Sequence, residues 1–277
     1  MSLPLDPRAL DESVAASIVA LPEGCEAFVA VAEAGGSVRA GYAADEPVHA
    51  ASTMKLAVLI EALRRCEQGP DRLSLDQEVR LERTFKSLAA GHFTLSAGDD
   101  ADPQLYERVG APAKLRELLE RMVVRSSNLA TNVVLTLLEP REVTATCRRL
   151  GAHGVQVVRG VEDAAAFARG WNNTVTAAGL CHLLLALAEG RTPGAALAIE
   201  ILLRQELPGG LAQGAAPGVR CAHKTGLVTG HAHDVGLLLR EGRPPLAVAA
   251  LTRGFSGEEP AQRWIAGLAA HLCRAEE

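Results

Sequence analysis

Ser52-Thr53-Met54-Lys55 runs directly into Leu56-Ala57-Val58-Leu59-Ile60-Glu61-Ala62-Leu63. The second part is almost continuously apolar, which predicts a helix buried on every side. A serine in the first turn of such a helix, with a lysine three residues on, is a chemical arrangement. Positions i and i+3 share a helix face with Cβ atoms about 5–6 Å apart, so the amine can reach the hydroxyl. Burial disfavours the ammonium form, which points to Lys55 as a neutral base. The helix N-terminus adds backbone N–H groups and a positive dipole for a developing oxyanion. The same residues admit a plainer reading, with Ser52 as an N-cap and Lys55 on the surface.

Upstream, Asp6-Pro7 suits a helix start, and Leu10, Val14 and Ile18 recur at helical spacing, which predicts a helix over 7–21. Apolar runs over 26–33 and 37–42, separated by Gly35-Gly36, predict a β-hairpin. From 71 to 191 the pattern is helical with polar loops, with helices expected over 112–125, 126–138, 174–189 and, just beyond, 193–206. The stretch 150–161 reads as irregular. The acidic segment Gly98-Asp99-Asp100-Ala101-Asp102 reads as a solvated loop, with cation binding as the alternative. After a loop over 208–218, strands return at 219–225, 234–240 and 246–252. A last amphipathic helix over 260–273 carries Trp264, Leu268 and Leu272 at i, i+4 and i+8. Strands at both ends with helices between predict an α+β fold. Its roughly five-stranded antiparallel sheet is built from both termini, with terminal helices on one face and an inserted all-helical lobe. The expected division is 4–48 with 207–277 for the α/β lobe and 49–206 for the helical lobe, the cleft between them being the place for a site.

Composition bounds the class. A chain of 277 residues with 48% hydrophobic and 22% charged residues is globular and long enough for a sizeable core. A net charge of -5 without a basic block argues against a nucleic-acid partner. No run of 18 apolar residues predicts a membrane span. Residues 1–10 have neither a basic start nor an apolar core. The expectation is therefore a cytoplasmic protein as the sequence stands, or a periplasmic or secreted one if a leader precedes it. Six cysteines without a C-x-x-C spacing read as reduced, buried thiols rather than a disulfide framework. The expected partner is a small-molecule substrate, no cofactor is implied, and the oligomeric state stays open.

Three more segments carry chemistry. Arg125-Ser126-Ser127-Asn128-Leu129-Ala130-Thr131-Asn132 opens a helix and presents a hydroxyl and an amide, though the same residues suit a capping cluster. His223-Lys224-Thr225-Gly226 puts a lysine in an apolar strand beside a glycine. That suggests close ligand approach, or else an edge-strand lysine that blocks aggregation. Arg159-Gly160-Val161-Glu162-Asp163 places carboxylates on the irregular segment, where an Arg–acid pair can also simply pin the loop. His231-x-His233 shares one strand face, so a metal is conceivable. No third ligand is apparent, and a polar turn with no metal is the preferred reading. Cys221 reads as core packing.

In the order Ser-x-x-Lys, Ser-x-Asn, acidic loop, Lys-Thr-Gly, the chain resembles the class A β-lactamase-like serine hydrolases, kin to penicillin-binding proteins, over essentially its whole length. The resemblance implies that Ser52 is the acylated nucleophile and Lys55 its base or part of the proton relay. Ser126 would pass the proton to the leaving nitrogen, and Asn128 would bind the substrate's side-chain amide. Lys224 and Thr225, with Gly226, would receive a substrate carboxylate, and the N–H groups of Ser52 and Leu227 would form the oxyanion hole. Glu162 would activate the deacylating water, with Asp163 and Asn172 as secondary candidates. Two positions depart from the family pattern. Ser127 replaces an aspartate, and Ala166 stands where Glu-x-x-x-Asn places the asparagine, a role Asn172 or Asn173 would have to fill in space. The implied activity is acylation of Ser52 by a β-lactam or related amide or ester, with hydrolysis possible but slow. The alternatives are an esterase or peptidase-like hydrolase on a non-lactam substrate, and a non-hydrolytic β-lactam-binding protein.

Overall fold

The computed structural model describes residues 7–36, 38–68 and 72–274; the expected cap Asp6 and strand start Ser37 lie outside them. Five strands form one antiparallel sheet: β1 (Glu26–Glu33), β2 (Val38–Tyr42), β3 (Arg220–Val228), β4 (His231–Leu239) and β5 (Leu246–Arg253). Their order is β2-β1-β5-β4-β3, so the two chain ends meet where β1 pairs with β5, Phe28 opposite Leu251. Both faces of β1 and β5 are buried. Ala27, Val29 and Val31 with Leu246, Val248 and Ala250 fill one core, and Phe28, Ala30 and Ala32 with Ala247, Ala249 and Leu251 fill the other. That double burial makes these strands read as unbroken apolar runs rather than alternating ones.

The first core is closed by α1 (Pro7–Val19) and the last helix, Glu258–Arg274. Trp264, Leu268 and Leu272 lie in it as their spacing predicts, and Trp264 Nε1 donates to Ser17 O at 2.9 Å. The second core joins the sheet to α2 (Lys55–Glu67), α3 (Leu115–Val124), α4 (Asn128–Leu135), α5 (Pro140–Arg149) and further helices, Ala177–Ala188 and Ala195–Leu203 among them. Glu61, the one acid inside the apolar run of α2, is fully buried. It is matched by both Arg64 donors at 2.8 and 2.7 Å and by the Thr146 hydroxyl of α5 at 2.6 Å. No helix among the described residues is long and apolar enough to cross a membrane.

The helical region also holds three two-stranded ladders that the sequence pattern does not mark. Pro112–Lys114, expected as helix, pairs with Glu78–Arg80; the helix begins at Leu115. Thr174–Val175, also expected as helix, pairs with Val48–His49, and Thr176 caps the helix that follows by accepting the N–H of Gly179. In both cases a short pairing partner remote in sequence overrides local propensity. The expected loop after Pro208 holds a short helix, Gly210–Gly214. The expected polar turn at His231-x-His233 is instead the start of β4, and the turn itself is Thr229-Gly230, with Gly230 at φ +79.

Candidate active site

The 3₁₀ turn Ala51–Met54 leads without a break into α2. Ser52 lies in that turn, half-buried, and caps nothing. Lys55 has no exposed surface, which excludes the surface-lysine reading. Its amine does not bond Ser52. It donates to Ser126 O at 2.7 Å, Ser126 Oγ at 3.2 Å and Asn128 Oδ1 at 2.9 Å. The direct Ser52–Lys55 hydrogen bond expected from i, i+3 spacing is therefore absent. Three oxygens delivered by the start of α4 outcompete one hydroxyl of the same turn.

Lys224, on the edge strand β3, is equally buried and donates to the same Ser126 Oγ at 3.0 Å and to Thr225 O at 2.9 Å. A hydroxyl has two lone pairs and one hydrogen. Both lone pairs of Ser126 are thus occupied, and its hydrogen is left to donate elsewhere. Burial pushes the Lys55 amine down to about 7, against the pull of Asp100 and Glu162. Burial, and then the charge of Lys55, pushes Lys224 well below the ordinary lysine value. Two ammonium groups sharing one acceptor in a dry site cannot both stay charged without a large electrostatic cost.

The acidic loop is solvated only in part, with Gly98, Asp99 and Ala101 exposed. Asp100 and Asp102 are buried. Asp100 accepts the N–H of Leu129 at 2.8 Å and the Tyr106 hydroxyl at 3.0 Å, while Asp102 takes two hydrogen bonds from Arg121. The loop therefore anchors the first turn of α4, where Asn128 meets Lys55. Ser127 is fully buried and caps α4 by accepting the N–H of Ala130, so the residue standing in for aspartate points away from the cavity. Of four non-glycine residues with positive φ among those described, three flank this site: Ala51 (44°), Ser126 (57°) and Glu162 (63°). Such conformations cost of the order of 1–3 kcal/mol each and persist where the surroundings over-determine them.

Two asparagines do that for the strap Val158–Asp163. Asn132, one turn after Asn128 on α4, grips Val161 twice: Oδ1 accepts its N–H at 2.8 Å and Nδ2 donates to its carbonyl at 2.9 Å. Asn173 accepts the N–H groups of Val158 and Arg159 and donates to Arg159 O and to the sulfur of Met54. It thereby ties the strap to the Ser52 turn. Asn172 only accepts from Arg159, at 3.3 Å. Asp163 is buried with both oxygens engaged, by Ser87 Oγ and Ala166 N–H on one and Leu88 N–H on the other. That makes it a loop anchor rather than a water-activating base. Glu162 is exposed and faces the cavity. Ala166 is fully buried and presents nothing to a water.

A cavity of about 250 Å³ collects Ser52, Asn128, Glu162, Arg159 and Leu227 on its walls. Lys55, Ser126, Lys224 and Thr225 are buried and are not among its lining residues. Gly226 is where β3 touches the serine turn: a Cβ there would stand 3.0 Å from Thr53 Cγ2 and 3.2 Å from Thr53 N. His233 cannot be a metal ligand, since Nδ1 accepts the Thr252 N–H and Nε2 faces His49 O. Among the described residues no three His, Cys, Asp or Glu side chains are grouped to hold a metal. Cys221 packs against the terminal-helix core, and burial pushes its thiol up. The sequence singles out neither Asn132 nor Asp100 as a site residue, and it offers Asn173 only as a stand-in for the missing asparagine. The i, i+4 spacing of Asn128 and Asn132 on an otherwise apolar helix was the one signal available for them.

Replacing Asn173 with alanine should free three hydrogen-bonding groups of the strap and the Met54 sulfur contact. A loss of roughly 1–3 kcal/mol in denaturant unfolding is expected, the range for unpaired buried polar groups. Stability unchanged within error would show that water replaces the amide.

A five-stranded sheet made from both termini, with a buried Ser-x-x-Lys turn facing a Lys-Thr-Gly edge strand, is the β-lactamase fold. The chain belongs to the β-lactamase enzyme family, whose profile matches residues 10–275. Comparison with the curated proteins finds no match. Among solved structures it is similar to a β-lactamase from Xanthomonas campestris (20% identity, 98% of both chains, TM-score 0.81). It is also similar to a β-lactamase from Sphaerobacter thermophilus (21% identity, 98% of both chains, TM-score 0.78). A third is a variant of PBP-A in an acyl-enzyme complex with penicillin G (18% identity, 99% of both chains, TM-score 0.78).

Proposed function

We propose that this protein is a serine hydrolase acylated on Ser52 by a β-lactam or related amide or ester, and that it releases the acyl group slowly. The observation that carries this is the convergence of two buried lysines on one serine hydroxyl, one of them three residues from Ser52. Near neutral pH Lys55 has the basicity to take the Ser52 proton as the substrate enters, since catalytic hydrogen bonds commonly form only in the complex. Ser126 gives its free hydrogen to the leaving nitrogen. Asn128, with Oδ1 held by Lys55, turns its NH₂ to the substrate's acyl amide. Lys224 holds the Thr225 carbonyl from beneath, and the Thr225 hydroxyl meets a substrate carboxylate. The N–H groups of Ser52 and Leu227 receive the oxyanion. The acyl-enzyme complex of a PBP-A variant with penicillin G supports a penicillin as donor.

Deacylation rests on Glu162, because Ala166 offers no amide, that of Asn173 is fully engaged and Asn172 does not line the cavity. Mixing with benzylpenicillin should give a stoichiometric burst followed by a slow steady state. Glu162→Gln should prolong the acyl-enzyme without preventing it, because water positioning is worth several kcal/mol in such steps. Efficient turnover that survives Glu162→Gln would overturn this assignment. A non-lactam ester is the second reading, favoured by an apolar rim: Phe167 and Leu227 are each 51% exposed and Val228 39%. A p-nitrophenyl ester run beside the penicillin separates the two.

A further inference from the structure

His49 stands three residues before Ser52, on the short strand paired with Thr174–Val175, and lines the cavity. Its Nδ1 accepts the N–H of Ala51 at 2.9 Å. A ring nitrogen that accepts carries no hydrogen, so in the neutral imidazole the hydrogen is on Nε2. Nε2 has no protein partner and is not enclosed. The residue is also fixed from behind. Its carbonyl accepts the Nε2–H of His233 at 2.9 Å, and His233 Nδ1 accepts the Thr252 N–H at 3.1 Å. The His49 ring is held against Phe167, edge-on at 6.0 Å, and against His231 at 5.8 Å.

We infer that His49 binds the acyl arm of the substrate, its Nε2–H selecting acyl groups that carry a neutral hydrogen-bond acceptor on an apolar body. The inference rests on Ser52 being the acylated residue. The apolar body follows from Phe167 beside the ring and from Met54, Leu227 and Val228 elsewhere on the cavity wall. The acceptor is neutral because the carboxylates of Glu162 and Asp163 outnumber the guanidinium of Arg159 around the cavity and disfavour an anionic group there. The guanidinium of Arg159, 5.4 Å over Phe167, is spent on Trp171 O, Gly160 O and Asn172 Oδ1, and Glu162 and Asp163 share its strap. Burial holds the His49 imidazole down to about 4, so it stays an uncharged donor at neutral pH.

The test compares p-nitrophenyl 4-oxo-4-phenylbutanoate with p-nitrophenyl 4-phenylbutanoate, which differ by one ketone oxygen, on the full chain. His49→Asn keeps an acceptor near the Nδ1 position for Ala51 and deletes the outer donor; His49→Gln places an amide N–H near the Nε2 position. The keto-ester preference in burst rate should fall about three- to tenfold in His49→Asn, the range for one neutral hydrogen bond, and recover in His49→Gln. Taking ratios between variants cancels the esters' own reactivities. Equal preferences in all three proteins, with Ser52 still labelled, would defeat the inference alone. An equal loss for both esters in His49→Asn would defeat it too and assign the ring to holding the serine turn. Labelling of Ser52 by neither ester would remove the Ser52 reading together with this one.

Discussion

Ser52→Ala is expected to abolish covalent labelling by penicillins and fluorophosphonates while leaving the fold intact. Among the described residues Ser52 carries the one hydroxyl on the cavity wall, and it stands three residues before the fully buried Lys55. Loss of a serine nucleophile costs about 10⁶-fold in a serine protease taken as a guide. Stability should barely move, because the side chain caps nothing and bonds nothing. Intact-protein mass spectrometry reads the adduct and a thermal melt reads the fold. An adduct that persists in the alanine variant would remove Ser52 as the nucleophile.

Lys55→Met should slow acylation by roughly 10²–10⁴-fold, the usual worth of a general base. Acylation in the native protein should also rise with pH through about 7, where Lys55 gives up its proton. The midpoint belongs to the Lys55–Lys224 pair rather than to either amine. This rise should be absent in the methionine variant. Stability carries the same signature. The folded amine sits below its ordinary 10.5, so between about 7 and 10.5 the unfolded chain binds the extra proton and stability increases with pH across that window. Methionine deletes the Lys55 share of that increase, Lys224 keeping its own, and leaves Ser126 O and Asn128 Oδ1 without their donor. The fold should therefore weaken by a modest amount while acylation falls by orders of magnitude. Acylation near the native rate would refute the base assignment.

These expectations depend on a strap that positions Glu162 without help from glutamate–asparagine spacing. Asn132 and Asn173 hold it from two sides. Glu162 is left in a left-handed conformation, exposed to the cavity and beside a buried anchor, Asp163. A carboxylate so placed can meet a water, but no second amide on the strap is free to hold that water still.

Much of this was legible in the chain because it depends on local pattern. The continuous apolar run after Ser52 required a buried helix, and that burial alone makes Lys55 a weak base. The unbroken apolar strands at the two ends required a sheet covered on both faces, and Trp264, Leu268 and Leu272 marked the helix that covers one of them. Long-range pairing decided what remained. Whether Lys55 meets Ser52 or Ser126 depends on where α4 is delivered, and that is set by the grip of Asp100 on Leu129, 29 residues apart in the chain. The acidic loop could not be told from a solvated one, because side-chain burial is a property of what packs over it. Asp163 stays open in the sequence as a second candidate behind Glu162, and only Ser87 and Leu88, about 75 residues away, take its oxygens. The tautomer of His49 rests on Ala51 close by, while its ring is placed by Phe167 and its backbone by His233. Residue types and spacing determined which chemistry the chain can perform. Only the tertiary structure decided which donor faces which acceptor, since a hydrogen bond needs its partners within about 3 Å and sequence separation does not constrain that distance.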